Sequence, residues 1–146
     1  MTASTSAARC LICESENTSD DAVVFRDDLW ACEITPGYEV PGWVILRARR
    51  HAIGWQSLTT AELDSFGHRA QQVIGAVSDA TGAAATYLVM FGESYLHFHV
   101  LITARGHDIP PELRAGNILQ LRQTALDRTA ALQLVPAIRA AYEAAS

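Results

Sequence analysis

The 146-residue sequence predicts an α+β fold: a five-stranded antiparallel sheet with one long helix and a helical C-terminal extension. Two observations predict it. Patterned segments run in the order of three strands, a helix, two strands and a helical tail. The first two strands are joined through Asp27-Asp28 and the last two through Gly92-Glu93-Ser94, turns short enough to reverse a neighbouring strand.

The elements follow in order. Residues 1–9 are small and polar and read as a disordered tail, with a single domain over 10–146. Cys10-x-x-Cys13 forms a turn, and Glu14 to Asp21 a polar loop. Val23-Val24-Phe25 is a short strand and Leu29 to Ile34 a second. Thr35-Pro36-Gly37 and Val40-Pro41-Gly42 are loop punctuation. Trp43-Val44-Ile45-Leu46 is apolar on both faces and so central in its sheet. It ends in Arg47, Arg49, Arg50 and His51.

Thr59 stands three residues before Glu62, the spacing of a capping box. Leu63, Phe66, Ala70, Val73, Ile74 and Val77 then keep helical spacing until Thr81-Gly82 stops the helix. Thr86 to Phe91 is the fourth strand and Tyr95 to Thr103 the fifth. Glu112 to Ala125 and Asp127 to Ala145 read as helical, with Pro136 either kinking the last helix or starting its final piece.

The fifth strand carries the chemistry. Leu96, Phe98, Val100 and Ile102 alternate toward the core, leaving His97, His99 and Leu101 on the opposite side. Two imidazoles two residues apart on a strand lie roughly 6.5–7 Å apart and point the same way. That arrangement suits a metal site or a nucleophile with a partner.

Composition narrows the classes. Apolar residues make up 49% of the chain and charged residues 18%, ordinary for a folded domain. A net charge of −5 supplies no general attraction to nucleic acid or to an anionic membrane. All 11 basic side chains are Arg, so a phosphate must be held by Arg, His, hydroxyls or backbone N–H groups. The N-terminus has no apolar h-region and no apolar run is long enough to span a bilayer, which predicts a cytoplasmic protein. Three cysteines, two of them in Cys-x-x-Cys, point to metal or redox chemistry, and Cys32 in an apolar strand to a small core residue.

These segments together resemble the histidine-triad superfamily of nucleotide hydrolases and transferases. His97-Phe98-His99-Val100-Leu101-Ile102 falls on the family's His-φ-His-φ-His-φ motif, with Leu101 at the third His. Gly92-Glu93-Ser94 lies where the family has Gly-Gln-Ser/Thr, Arg105 lands on the motif's Arg, and Asp108-Ile109-Pro110 is similar to the Asp-Leu-Pro of actinobacterial-type members. Pro41 to His51 is similar to the Pro-Gly-strand-Pro-Lys-x-His segment. A second register, with Tyr95, His97 and His99 as the motif positions, makes His97 the reactive residue.

The resemblance implies a nucleotide hydrolase or nucleotidyl transferase. His99 would attack the phosphorus of a nucleoside 5′-phosphate derivative to give a nucleotidyl-histidine, beside His97 and Ser94. It implies Glu33 on the ribose hydroxyls, Glu93 and Arg105 at the substrate, and a homodimer. It also implies a structural Zn²⁺ on Cys10, Cys13, His51 and His97. Phe25 and Trp30 are candidates for the base pocket. Leu101 and Glu93 depart from the motif, so a non-catalytic or repurposed zinc- and nucleotide-binding protein is the alternative.

Overall fold

Five strands, β1 (Val23–Arg26), β2 (Trp30–Glu33), β3 (Trp43–Ala48), β4 (Ala85–Val89) and β5 (His99–Arg105), form one sheet in the order β1-β2-β3-β5-β4, every neighbouring pair antiparallel. The computed structural model describes residues 10–145, so the tail expected over residues 1–9 lies outside the described residues. The chain enters through a single helical turn, α1 (Leu11–Glu14).

Alternation along the strands divides the molecule into two apolar layers. Val24, Trp30, Cys32, Ile34, Val44, Leu46, Phe98, Val100 and Ile102 pack beneath α2 (Thr60–Thr81) and α3 (Arg128–Ala144). Val73 and Val77 of α2 and Val135 and Ile138 of α3 close this core. Each fully buried side chain of this size contributes roughly 1.5–3 kcal/mol by leaving water. Phe25 stacks on Tyr142 of α3 at 4.3 Å, and the wholly buried Trp30 donates through Nε1 to Ser65 at 2.8 Å. Trp30 is thereby a core group outside any base pocket, and the partly buried Phe25 packs its face against α3.

α2 begins as its sequence dictates. Thr59 Oγ1 accepts from Glu62 N–H at 3.1 Å and Glu62 accepts from Thr59 N–H at 2.8 Å, so the capping box is closed in both directions. Gly82 ends it in the left-handed region at φ 64°, where a side chain costs strain. α3 runs through Pro136 as one helix.

The opposite face of the sheet carries Trp43, Ile45 and Leu101, covered by Val40, Ile118 and Leu121. Here the structure differs from the helix expected over Glu112 to Ala125. Residues 111–113 make one 3-10 turn and Ala115–Gln123 a longer 3-10 segment, separated by Arg114, with Ala115 opening the second at φ 53°. Three residues per turn stack positions i and i+3, which sends Ile118 and Leu121 together into this second core. β5 also starts later than expected, at His99. Upstream of it Phe98 N–H donates to Ala52 O at 2.7 Å and Gly54 N–H to Leu96 O at 3.2 Å, leaving only an isolated bridge between Ile53 and His97. This local pairing folds residues 51–54 against the histidine segment.

Candidate functional site

Two features meet where β3 ends and β5 begins. The first is a Cys₂His₂ cluster. α1 places Cys10 and Cys13 on one side, with Cys13 N–H donating to Cys10 Sγ at 3.3 Å. The Ile53–His97 bridge brings His51 and His97 to the other. Cys13 Sγ lies 3.1 Å from His51 Nδ1 and 3.3 Å from His97 Nδ1, Cys10 Sγ lies 3.5 Å from His97 Nδ1, and the two Nδ1 atoms are 3.2 Å apart. All four donor atoms lie within 4.8 Å of one another.

A tetrahedral Zn²⁺ with thiolate and imidazole ligands sets its donor atoms about 3.3–3.8 Å apart, so these residues fit such an ion. The tautomer fits too. His97 Nε2 is 2.6 Å from Ala48 O; a carbonyl only accepts, so Nε2 carries the hydrogen and the Nδ1 lone pair faces the thiols. Burial and the neighbouring Cys10 push the Cys13 thiol up to about 11, and burial pulls the wholly buried His97 down to about 4. Crowding of this kind is relieved by a cation, which favours thiolate and neutral imidazole.

The second feature is the His99 imidazole. His99 pairs with Arg47 across β3 and β5, and its Nδ1 lies 2.7 Å from the carbonyl oxygen of His97. The same argument makes Nδ1 the donor, which leaves Nε2 with its lone pair and no hydrogen-bond partner among the described residues. Burial lowers the His99 pKa below the ordinary histidine value, outweighing the carbonyl that favours the charged form, so the ring is neutral near pH 7.

His99 stands between two clefts. A cleft of about 180 Å³ is lined by Glu93, Ser94, Tyr95, Leu101, Tyr38 and Arg122. A second, about 310 Å³, is lined by Ile53, Trp55, Gln56, Met90 and Leu96, and shares Phe91, Gly92 and His99 with the first. Trp55 is 48% and Phe91 70% exposed, which leaves apolar surface open at its mouth.

The structure thus brings His99, Ser94 and Glu93 to one cleft and gathers Cys10, Cys13, His51 and His97 behind it. Two other predicted site residues lie elsewhere. Glu33 is wholly buried and accepts from Arg47 at 2.8 and 2.6 Å and from Arg26 at 3.3 and 3.1 Å. Wholly buried behind two guanidiniums, that carboxylate presents no surface to a ribose. Arg105 ends β5 six residues beyond His99, roughly 20 Å along the strand. Its neighbour there is Tyr87, not the histidine cleft. The register that makes His97 reactive is also disfavoured, since both of its ring nitrogens are engaged. Sequence reasoning missed Tyr38 and Arg122, whose approach to His99 depends on the 3-10 segment crossing the sheet.

Comparison with solved structures gives the architecture its name. A histidine triad nucleotide-binding protein described as hypothetical, from Sulfolobus tokodaii, superposes with a TM-score of 0.71 at 16% identity, over 92% of this chain and 93% of that one. The chain has the histidine-triad fold. A Zn-bound histidine triad family protein from Mycobacterium smegmatis shares the histidine-triad fold at TM-score 0.66 and 13% identity, over 97% and 100% of the two chains. A uridylyltransferase matches at TM-score 0.68 and 19% identity, where 94% of this chain spans 47% of that one. No protein-family model matches, and no curated protein does. Among the described residues no helix is long and apolar enough to cross a membrane.

Proposed function

We propose that the protein is a nucleotide hydrolase or nucleotidyl transferase of the histidine-triad superfamily, working through His99. The observation that carries the reading is the hydrogen bond from His99 Nδ1 to the carbonyl of His97, which aims an unprotonated Nε2 lone pair at the clefts. In the first step Nε2 attacks phosphorus. The N–P bond forms as the bond to the leaving group breaks, and the leaving group departs with the electron pair and takes a proton from solvent. In the second step water or an acceptor hydroxyl attacks the nucleotidyl-histidine, loses its proton to solvent, and the neutral imidazole is restored. Ser94 lines the same cleft as a hydroxyl donor for phosphoryl oxygens.

Zn²⁺ on Cys10, Cys13, His51 and His97 completes the proposal, and the solved zinc-bound neighbour supports it. With four protein ligands it is a closed structural centre that offers no open position to substrate. It fixes the segment ahead of β5 and with it the carbonyl that orients His99. A homodimer remains part of the reading, checked by sedimentation.

Incubation with an AMP phosphoramidate and with a dinucleoside polyphosphate tests the activity. Turnover lost in His99→Ala, with a transient adenylyl adduct on His99 in the wild type, is the expected outcome. The apolar Leu101 and the engaged Glu33 favour a second reading, a repurposed or non-catalytic protein on the same fold. Nucleotide binding with no turnover selects that reading instead.

A further inference from the structure

The cleft of Glu93 and Ser94 has one wall with no role in the mechanism above, and Arg122 stands on it. Arg122 Nε donates to Gly37 O at 2.8 Å, and the guanidinium carbon lies 3.9 Å from the centroid of the Tyr38 ring. These contacts consume one N–H and one face of the plane. The other N–H groups make no hydrogen bond among the described residues, and no described carboxylate lies within ion-pair distance. By contrast Arg26, Arg47, Arg49, Arg50, Arg69 and Arg128 each face a carboxylate. A guanidinium held on two sides and left without a counter-charge is prepared for bidentate oxygen acceptors.

Ser94 offers a phosphoryl group one neutral hydroxyl but no charge to offset its own. Leu101 offers no donor, Glu93 repels anions, and Arg105 lies at the far end of β5. Apart from His99, Arg122 is the one basic side chain among the described lining residues. The second cleft beside His99 is lined by Ile53, Trp55, Gln56, Met90 and Leu96 and holds no basic side chain other than histidine. We propose that Arg122 binds the phosphoryl oxygens of the substrate. The inference deepens the assignment of His99 as nucleophile and rests on it.

The test uses neutral iodoacetamide, inorganic pyrophosphate and mass mapping of His99 in the wild type, Arg122→Met and Arg122→Lys. Arg122 is exposed, so the variants retain the wild-type melting temperature. Alkylation at His99 is expected in all three. Pyrophosphate shields His99 in the wild type, Arg122→Met needs at least tenfold more of it, and Arg122→Lys falls between. Equal shielding in wild type and Arg122→Met, or none in the wild type, overturns the Arg122 assignment and leaves the nucleophile standing. A His99 that iodoacetamide does not reach overturns both.

Discussion

Arg47 reaches diagonally across β2 and β3 to Glu33 through two hydrogen bonds, 2.8 and 2.6 Å long, with both side chains wholly buried. The register sets this up: Glu33 lies opposite Ile45 and Ala31 opposite Arg47, so the pair spans one diagonal step. Arg26 shares the Glu33 carboxylate, while Arg47 also pairs with Glu16 in the loop after α1.

Removing one member leaves a buried charge short of a partner: Glu33 keeps only Arg26, and Arg47 keeps only Glu16. Arg47→Met is expected to destabilise the protein by up to about 3–5 kcal/mol in urea unfolding. The double variant Arg47→Met/Glu33→Gln recovers part of that loss because neither charge remains. A double variant as unstable as the single one rejects the charge argument. Glu33→Gln alone changes stability without changing KM for a nucleotide substrate.

Metal content is the second expectation. Purified protein carries about one zinc per chain by elemental analysis, and Cys13→Ser loses most of it. Chelation lowers the melting temperature, since ion binding contributes to folding. Because His97 supplies both a ligand atom and the carbonyl that orients His99, chelation also slows His99 alkylation or turnover. Metal-free wild type that melts unchanged sinks this expectation.

Leu101 places an apolar side chain on the cleft floor, two residues beyond His99 on the same face of β5. Leu101→His introduces a ring donor there, and one donor to a developing phosphoryl charge is commonly worth about 10²–10³ in rate. We expect faster turnover together with a lower melting temperature, since the ring enters the cluster of Trp43, Ile45, Ile118 and Leu121. A slower enzyme of unchanged stability contradicts both halves.

The capping box supplies a pH test. Burial pushes the Glu62 carboxyl up, but Arg50 and the Thr59 donors pull it further down, so its folded pKa lies below the ordinary 4.5. A depressed carboxylate contributes stability above its unfolded pKa and loses it as pH falls through the folded value. Acid unfolding midpoints below pH 4.5 therefore change less in Glu62→Gln than in the wild type. Thr59→Ala costs about 1 kcal/mol at neutral pH.

Local patterns made much of the molecule legible. Apolar runs and alternation located the five strands, the Thr59-Glu62 spacing located α2, and the family resemblance named Cys10, Cys13, His51 and His97, four side chains that converge. What was lost depends on distances along and across the sheet. The resemblance assigns Glu33 to the ribose hydroxyls and says nothing of the guanidinium of Arg47 on the next strand. A motif alignment sets Arg105 beside the histidines, whereas an extended backbone carries it away from them. Arg122 sits in a stretch whose composition reads as α-helix. Its path is set by Ala115 turning the chain and by Ile118 and Leu121 seeking the second core.

The 3-10 segment gives this chain an uncommon freedom. Its residues build one flank of the His99 cleft yet belong neither to the Cys₂His₂ cluster nor to the sheet that holds His99. Exchanges at Leu119, an apolar lining residue, can retune which molecules are admitted while His99 and the carbonyl it donates to stay in place.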